Sequence, residues 1–574
     1  MIRLSELKLP LDHTAQDLQK EVCTVLGVGS DSVASAKVFK RSYDARKVEI
    51  LVVYIVDVAL QSATLEASLL QKLKGSNRVG LSPDTAYRPV AQAPTNLKLR
   101  PVVVGFGPCG IFAALVLAQM GFKPIVLERG TMVRQRTKDT WALWRKNVLN
   151  PQSNVQFGEG GAGTFSDGKL YSQIKDPRFL GRKVMQEFVK AGAPDDILTE
   201  SHPHIGTFKL VKVVENLREQ IIALGGEIRF QQCVVDISTK PCTRPFISGQ
   251  KDLQICALTV EDWGKGTQYE LPADHVVMAL GHSARDTFAM LYRQHVFMEA
   301  KPISVGFRIE HPQSLIDRAR WGRHAGHPLL GAAEYRLVHH ASNGRSVYSF
   351  CMCPGGTVVA ATSESGRVVT NGMSQYSRNE RNANAGMVVG VEPADYPSDA
   401  ASFRAAFGDS VNPEKREEDK FHPLAGVVFQ RALESHAFVL GGATYEAPGQ
   451  LVGDFLTNKP STQFGEVVPS YKPGVHLGNL DSALPGYAIT ALREALPAFG
   501  KKIRGFDRAD AVLTGVETRT SAPMRITRGA DFQSLNVAGL YPAGEGAGYA
   551  GGILSAGVDG IKVAEALALH CTDN

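Results

Sequence analysis

The chain has 574 residues, which is enough for about two to four domains and excludes a small fold that relies on disulfides or metal ions for stability. Its 63 Lys and Arg residues against 57 Asp and Glu residues give a net charge of +6, too dilute in this length to indicate a nucleic-acid-binding protein. The amino terminus lacks the apolar core of a signal peptide, and the apolar run at 50–56 is far shorter than the roughly 18 residues of a membrane span, so we expect a cytoplasmic protein without membrane segments.

The first 95 residues are predicted to form a small α+β module of the ferredoxin-like type. Apolar patterns and turn residues predict a strand, a helix, two strands and a second helix at residues 2–9, 15–26, 33–39, 48–58 and 64–73. Four prolines follow this module and, because proline fixes φ and lacks an N–H donor, they favour a linker: Pro83, Pro89, Pro94 and Pro101.

Residues 101–130 carry the most informative motif, a strand, a glycine-rich turn, a helix and a second strand that ends in an acid. Gly105 allows the sharp turn, Gly107 lets the backbone approach a pyrophosphate, and Gly110 lets the helix pack closely on the strand. The acid follows the first glycine by roughly the 20 residues that place a carboxylate on a ribose hydroxyl. The sequence therefore predicts a dinucleotide site formed by Gly105, Gly107, Pro108, Gly110, Glu128 and Arg129.

After this motif the chain is predicted to make a β-rich excursion and to return to the nucleotide. A helix at 212–224, a strand at 227–237 and a hairpin turning at 264–266 lead to an apolar strand at 275–281. Residues 291–504 mix hairpins with helical stretches, and we interpret them as an inserted substrate or cap domain. Within that insertion we expect a hairpin between 347–350 and 358–362 and a helix at 427–440.

Residues 539–567 predict a strand, a glycine-rich loop and a helix, and they contain too much glycine for an ordinary core segment. In flavoproteins such a segment supplies an acid for the ribityl or pyrophosphate region. Its helix offers free N–H groups and a dipole that stabilise the negative charge of a reduced ring. We assign Glu545 to the first role and Gly551, Gly552 and Ile553 to the second, and we expect Gly544 to contact the cofactor as well. The alternative is a glycine-rich helix start without a ligand.

A second glycine-rich segment, residues 154–170, is expected to cover the flavin ring, with a plain hairpin turn as the alternative. Its predicted contacts are Gly158, Gly160, Gly161, Gly163, Thr164 and Ser166. Lys169 either neutralises charge on a reduced flavin or an acidic substrate, or is a solvated lysine.

The segment after the returning strand is expected beside the cofactor, through Gly281, His282 and Ser283. Arg285 and Asp286, which follow, either pair with each other or contact the cofactor.

Two histidines and two arginines are further candidates for chemistry. His202 and His204 can donate or accept a proton because histidine titrates near neutral pH, with structural histidines as the alternative. No third ligand stands at a suitable spacing, so we expect no metal site. Arg519 and Arg525 either bind a carboxylate or phosphate bidentately or form structural ion pairs.

Cys351 and Cys353 are the one closely spaced pair among eight cysteines. They stand two residues apart on a predicted strand and so point to one face. They are either a redox pair that serves the flavin or thiols that only pack in the core. The remaining cysteine spacing favours reduced thiols over a disulfide framework.

Together these segments resemble the bacterial family of FAD-dependent dehydrogenases almost from end to end. The resemblance rests on GEGGAGTFSDGKL, GHSARDTF, YSFCMCPGG, NGMSQYSRNERNAN, GVETRTSAP and YPAGEGAGYAGGI, and on KRSYDARK in the first module. It implies a glutathione-reductase-like fold with a discontinuous nucleotide domain that binds FAD rather than NAD, and it implies no particular substrate. Cys109 and Glu545 stand where related flavoproteins usually have alanine and aspartate. Neither of these two differences replaces a glycine of the motifs.

The predicted fold class is therefore α/β, with a discontinuous Rossmann-like FAD-binding domain, an inserted α+β substrate domain and the small ferredoxin-like module at the amino terminus. The predicted boundaries are 1–95 for the module, 96–290 and 505–574 for the two FAD-binding segments, and 291–504 for the insertion.

We expect a FAD-dependent oxidoreductase that transfers a hydride between flavin N5 and a small-molecule substrate, for which Lys169 favours an acidic group. The expected catalytic residues are His204, Lys169, Arg519 and Arg525. The sequence contains one fingerprint, so NAD(P)H would bind transiently on the substrate side and would have no domain of its own.

One alternative function is a non-catalytic flavin sensor or scaffold. The other is an RNA-modifying flavoenzyme whose first module binds phosphates, although its cations also fit a solvated strand face: Lys37, Lys40, Arg41, Arg46 and Lys47.

Overall fold

A computed structural model describes residues 1–242 and 252–572, and its first unit is the amino-terminal module. The module consists of β1 Ile2–Pro10, α1 Ala15–Leu26, β2 Val33–Asp44, β3 Leu51–Leu60, α2 Ala63–Lys72 and β4 Val79–Leu81. Its sheet has the order β2-β3-β1-β4 with every neighbouring pair antiparallel. This is the element order of a ferredoxin-like βαββαβ unit. α1 begins after Thr14 because Thr14 and Asp17 form a capping box.

Short strands alternate with helices between residues 102 and 293. The strands are β5 Val102–Val104, β6 Ile125–Glu128, β7 Glu227–Phe230, β8 Gln232–Pro241, β9 Leu253–Asp262, β10 Thr267–Pro272 and β11 Val276–Met278. The helices are α3 Pro108–Gln119, α4 Val133–Lys146, α5 Leu180–Lys190, α6 Thr207–Ala223 and α7 Arg285–Arg293. The single strand predicted at 227–237 is wrong, because Gln231 adopts a φ of 58° and passes the chain from β7 in one sheet to β8 in another.

The rest of the chain is richer in strands. They are β12 Met298–Ala300, β13 Ile303–Pro312, β14 Val338–His340, β15 Ser346–Cys353, β16 Gly356–Ala360, β17 Thr370–Ser374, β18 Asn382–Val391, β19 Ala447–Leu451, β20 Val475–Leu477, β21 Val512–Glu517, β22 Met524–Ile526, β23 Val537–Ala538 and β24 Leu540–Pro542. The helices are α8 Gln313–Trp321, α9 Ala400–Phe407, α10 Ala425–Leu440, α11 Val452–Leu456, α12 Gly486–Lys502 and α13 Ile553–Thr572. Among the residues described, none of the helices combines the length and the apolar character needed to cross a bilayer.

Five parallel strands form the sheet that positions the site, in the order β24-β11-β5-β6-β7. Its central strand β5 is fully apolar and buried, as expected for a parallel strand that helices cover. β24 comes from the carboxyl-terminal part of the chain, so two distant segments build this sheet. Beside it α3 and α13 pack so closely that a Cβ on Gly560 would lie 2.2 Å from the carbonyl oxygen of Cys109.

A seven-stranded sheet organises the inserted part, in the order β14-β15-β18-β13-β21-β19-β20. The hairpin predicted between 347–350 and 358–362 is wrong, because β15 pairs with β14 and β18 whereas β16 pairs with β17. β21 lies between β13 and β19, so this sheet continues beyond residue 504, where the sequence suggested a boundary. A further sheet joins β8, β9, β10 and β23 and contains the hairpin expected at 264–266.

Substitution of Gly560 with alanine tests the close packing of α3 and α13. The new Cβ would meet backbone at 2.2 Å, so the two helices must move apart. We expect this overpacking to cost about 1–3 kcal/mol and to lower the melting temperature measured by calorimetry. The matched control is Gly486→Ala at the start of α12, where the added Cβ has no atom within 4 Å. Equal melting temperatures for the two variants would contradict the packing argument.

Candidate functional site

One cavity lies where the carboxyl ends of β5, β6 and β11 meet the loop that follows β24. Its wall comes from separate parts of the chain, within residues 104–109, 127–129, 156–169, 232–234, 279–287, 350–351, 517–520 and 545–556 and at residue 371. The carboxyl ends of parallel strands are where open α/β sheets bind their ligands. The fingerprint turn and the carboxyl-terminal glycine loop therefore line the same cavity.

Close contacts between backbones hold two loops of this wall together. Gly105 has a φ of 98°, and a Cβ on it would lie 2.3 Å from the carbonyl oxygen of Ala279. Gly161 has a φ of 62°, and its Cβ would lie 2.8 Å from the Cα of Gly107. Side chains at these two positions would push the loops apart and strain the backbone, so both require glycine.

The carboxyl-terminal loop is joined to the wall in the same manner. A Cβ on Gly546 would lie 2.3 Å from the carbonyl oxygen of Gly281, which follows the returning strand β11. The carboxylate of Glu545 lies 3.8 Å from Nδ1 of His282. α13 begins shortly afterwards, and its first residue Ile553 lines the cavity. The amino end of this helix therefore opens towards the same space as the amino end of α3.

Glu128 fixes the fingerprint turn with its carboxylate. Its Oε2 accepts a hydrogen bond from the N–H of Phe106 at 2.8 Å, and its Oε1 accepts from Gly130 at 2.8 Å and Gly158 at 2.9 Å. Hydrogen bonds to an ionised acceptor are stronger than neutral ones. The acid that the sequence assigned to a ribose hydroxyl thus also clamps the turn to the loop at Gly158.

Arg285 and Asp286 do not pair with each other, so that alternative is wrong. Asp286 accepts two hydrogen bonds from Arg129, at 2.9 and 2.8 Å. Arg285 is 1% exposed and donates to Glu434 at 2.9 and 2.6 Å and to Glu364 at 2.7 Å. Adjacent residues at the start of a helix point in different directions, which sends the two side chains to separate partners.

Arg519 lines the cavity as part of the same buried ionic cluster. It donates to Glu434 at 3.2 and 3.0 Å, to Ser283 at 3.1 Å and to Ser363 at 2.7 Å. Burial and the neighbouring Arg285 lower the pKa of its guanidinium. Because Glu434 already binds Arg519, the contacts of this arginine indicate a structural role. It stabilises the cavity wall and holds Ser283 at the cavity.

Lys169 is a cation that the glycine-rich loop presents to the cavity. Its Nζ donates to the carbonyl of Met352 and lies 3.9 Å from a carboxylate oxygen of Glu334, whose other oxygen pairs with His202. Burial is the largest single effect and opposes the charge of Lys169, but Asp167, Tyr171 and the two nearby cysteines together outweigh it and raise the pKa of the ammonium. The side chain is therefore protonated at neutral pH and is not the solvated lysine of the alternative interpretation.

Most of the predicted site residues line the cavity, and those outside the lining are Gly110, Gly160, Thr164, Gly544, Gly551, His204 and Arg525. His204 hydrogen-bonds through Nε2 to the carbonyl of Tyr376 at 2.9 Å and stacks on its ring, and burial lowers the pKa of its imidazole. Arg525 lies on β22, over the ring of Tyr549. Across residues 1–242 and 252–572, no group of three or more His, Cys, Asp or Glu side chains is placed to hold a metal ion.

Sequence reasoning missed one wall of the cavity, which β21 of the seven-stranded sheet and β17 of the two-stranded sheet supply. Glu517 is 2% exposed and accepts hydrogen bonds from Arg308 at 2.8 and 3.2 Å, and burial raises the pKa of its carboxyl. Asn371 accepts from the same arginine at 3.1 Å. Glu517 and Asn371 both line the cavity and belong to sequence motifs quoted above for the family resemblance. No glycine pattern in those motifs indicates that they are site residues.

The basic residues suggested for RNA binding are partly engaged within the protein. Arg41 hydrogen-bonds to Glu200 at 2.7 Å through Nε, and Arg46 to Asp44 at 2.7 and 2.6 Å. Within the part of the chain that the structure describes, Lys37, Lys40 and Lys47 have no such pair, and all three are exposed. These pairs reduce the positive charge that the first module offers to phosphates.

Comparisons with known sequences identify two regions. The family described as FAD-dependent protein, C-terminal domain-like, matches residues 302–520, which span the seven-stranded sheet from β13 to β21. A domain of unknown function matches residues 1–59. An uncharacterised protein of Clostridium beijerinckii is 46% identical over 566 residues, covering 98% of this chain and 98% of that protein.

Solved structures show more distant similarity. A flavoprotein/dehydrogenase from Cytophaga hutchinsonii has 11% sequence identity over 83% of this chain and 79% of its own, with a TM-score of 0.32. The FrdA subunit of E. coli quinol fumarate reductase has 13% identity over 84% of this chain and 70% of its own, with a TM-score of 0.33.

The ionic cluster at the cavity predicts a pH-dependent effect of Glu434→Gln. Burial opposes ionisation, but Arg285 and Arg519 lower the pKa of Glu434 to about 2. A depressed folded-state pKa contributes stability above the unfolded value of about 4.3, and that stability is lost as pH falls towards the folded value. Leaving two buried arginines without this anion should cost about 3–5 kcal/mol at pH 7.

Melting temperatures of wild type and Glu434→Gln, measured from pH 7 to pH 4, check this expectation. The difference in melting temperature between the two proteins should be largest at pH 7. It should decrease below about pH 5, where protonation of Glu434 in the unfolded state starts to destabilise the folded wild type. Glu417→Gln, at an exposed position, is the control and should show no gap. A gap that stays constant with pH would refute the electrostatic origin.

Proposed function

This chain belongs to the family of FAD-dependent proteins, and we propose that it transfers a hydride between a small-molecule substrate and N5 of its flavin. It is a FAD-dependent oxidoreductase. One observation carries the proposal: the fingerprint turn at 104–109, the glycine-rich loop at 158–163 and the carboxyl-terminal loop at 545–553 border a single cavity. The amino ends of α3 and α13 both open into it, which suits a ligand with a phosphate group and a ring that becomes anionic.

The residues of the cavity fit FAD at its phosphate end. α3 begins after Gly107 without a side-chain cap, so the N–H groups of its first turn have no competing side-chain acceptor. A Cβ on Gly161 would fill the narrow space beside Gly107. Because residue 161 is glycine, this space stays free and a pyrophosphate can approach the backbone closely. Glu128, at the end of β6, lines the same part of the cavity. These features support pyrophosphate at α3 and ribose near Glu128.

When bound, FAD supplies a ring that takes up or gives up a hydride and carries negative charge in its reduced form. Lys169 places a protonated ammonium on the cavity wall, and α13 directs the positive end of its dipole there. A fixed cation and a fixed dipole stabilise such charge without reorganisation of solvent. We assign Lys169 and the helix start at Ile553 to this electrostatic role.

The wall formed by Phe350, Asn371 and Glu517 is proposed as the substrate side, because it faces the cavity from the inserted part. Lys169 favours a substrate that carries an anionic group, such as a carboxylate. A nicotinamide nucleotide would reach this side only as a diffusing substrate, since the sequence has no second fingerprint. A substrate bound at this wall would have its donor carbon held beside the ring, which would make the transfer effectively unimolecular.

Gly107→Trp is expected to abolish FAD binding, because an indole at the start of α3 would occupy the space assigned to the pyrophosphate. The measurement is the visible flavin absorbance per chain of the purified protein. Gly29→Trp is the matched control, because this glycine lies in the first module, is exposed, and has no atom within 4 Å of an added Cβ. Full flavin content in the Gly107 variant would rule out the assignment.

Lys169→Met is expected to retain FAD and to lower its midpoint reduction potential. Loss of the cation removes stabilisation from the reduced ring, at roughly 30 mV for each 1.4 kcal/mol in a two-electron couple. Redox titration of the purified holoenzyme measures the shift. The control is Lys37→Met, which removes an exposed lysine from the first module. If both variants keep the wild-type potential, Lys169 has no electrostatic role at the ring.

A further inference from the structure

Cys351 and Cys353 form a feature of the cavity wall that the proposed hydride transfer does not use. Both belong to β15, whose register with β18 shifts between Phe350 and Cys353. Cys351 lies in this irregularity with a φ of 42°, which residues other than glycine seldom adopt. Such strained backbone is concentrated at functional sites. The bulge presents Cys351 to the cavity.

The two thiols differ in exposure and lie close together. Cys353 is 0% exposed, whereas Cys351 is partly exposed and lines the cavity. The Sγ of Cys353 donates a hydrogen bond to the backbone carbonyl of Cys351 at 3.4 Å, so the second thiol lies against the residue that carries the first. Gly372 provides the room, because a Cβ there would lie 2.9 Å from that Sγ. The arrangement is an accessible thiol with a second thiol directly behind it.

Two cations are fixed around this segment by hydrogen bonds to its backbone. Nη1 of Arg308 donates to the carbonyl of Cys351 at 2.8 Å. Nζ of Lys169 donates to the carbonyl of Met352, between the two cysteines. Positive charge held near a thiol favours its thiolate, which is the nucleophilic form.

The charges that face the pair do not cancel this effect. The anions nearest the pair are Asp167, which Arg378 binds, and Glu517, which binds Arg308 itself; Asp167 opposes ionisation of Cys351, but its effect is smaller than that of Arg308 or of Lys169. The hydrogen bond from Cys353, followed by the charges of Arg308 and Lys169, lowers the pKa of the Cys351 thiol against the opposing effect of burial. The same hydrogen bond raises the pKa of Cys353. Cys351 is therefore the attacking thiolate and Cys353 the protonated partner.

We propose that Cys351 and Cys353 form a thiol–disulfide exchange site for small organic disulfides that enter the cavity. The Cys351 thiolate attacks one sulfur of the disulfide, so a mixed disulfide forms while the substrate S–S bond breaks and releases one thiolate. Cys353 then gives up its proton and attacks the Cys351 sulfur, which closes the protein disulfide and releases the second thiol. Two electrons pass from the protein dithiol to the substrate. These steps need no flavin, so they stand apart from the hydride transfer.

The test uses the purified FAD-bound protein and 2-hydroxyethyl disulfide as the probe. Wild type should release two equivalents of mercaptoethanol per chain and lose two alkylatable thiols, with a Cys351–Cys353 peptide found by mass spectrometry. Wild type that keeps both thiols free would overturn the proposal without any variant. Flavin absorbance and potential are recorded in parallel, so failure of the exchange is distinguishable from failure of the flavin assignment.

Three variants assign the two roles. Cys353→Ser should stop at a mixed disulfide on Cys351 and release one equivalent, whereas Cys351→Ser should release none. Cys233→Ser is the matched control, because Cys233 lines the same cavity but burial raises the pKa of its thiol to about 12, and this variant should behave as wild type. Equal release from Cys351→Ser and Cys353→Ser would contradict the assignment.

Alkylation by iodoacetamide at pH 6 gives a second, substrate-free readout. In wild type, Cys351 should react at least tenfold faster than Cys233, because only a thiolate is alkylated efficiently. Lys169→Met should slow Cys351 and leave Cys233 unchanged. Equal rates at the two cysteines of wild type would show that Cys351 is an ordinary packed thiol.

Discussion

The site depends on close approach between backbones at a few glycines. A Cβ on Gly161 would collide with the Cα of Gly107, one on Gly546 with the carbonyl of Gly281, and one on Gly105 with that of Ala279. Each contact joins segments far apart in the chain, and each would fail with any side chain larger than hydrogen. Together they draw the fingerprint turn, the glycine-rich loop and the carboxyl-terminal loop around one cavity. The proposed positions of the flavin and of Lys169 depend on this assembly.

A buried ionic cluster also holds parts of the cavity wall together. Glu434 on α10 holds both Arg285, at the start of α7, and Arg519, just after β21. The cluster therefore links the nucleotide-binding part to the inserted part. Buried ion pairs add little net stability compared with apolar packing, yet loss of one partner is costly, so such a cluster fixes the relative position of two elements. Here it fixes the wall against which a substrate is proposed to bind.

The sequence predicted local structure well where one pattern dominates. The fingerprint, α10 and α13 follow from glycine spacing and apolar periodicity, and so do the first three strands of the first module, whereas the short strand β4 was missed. Pairing between strands distant in the chain was harder to predict. No local sequence signal distinguishes a hairpin of β15 with β16 from the strand pairings that form. Glu517 and Asn371 were missed because a buried Arg308 from a third strand brings them to the cavity. Pairing of Arg285 with Asp286, one of two alternatives left open by the sequence, is wrong because their partners lie far along the chain.

A crystal structure of the purified protein with its bound cofactor tests the central claim most directly. The account predicts one FAD per chain, with its pyrophosphate at the start of α3 beside Gly107 and its ring between the loop of Gly161 and the start of α13. FAD bound at another place, or a ring remote from Ile553 and Lys169, would contradict it.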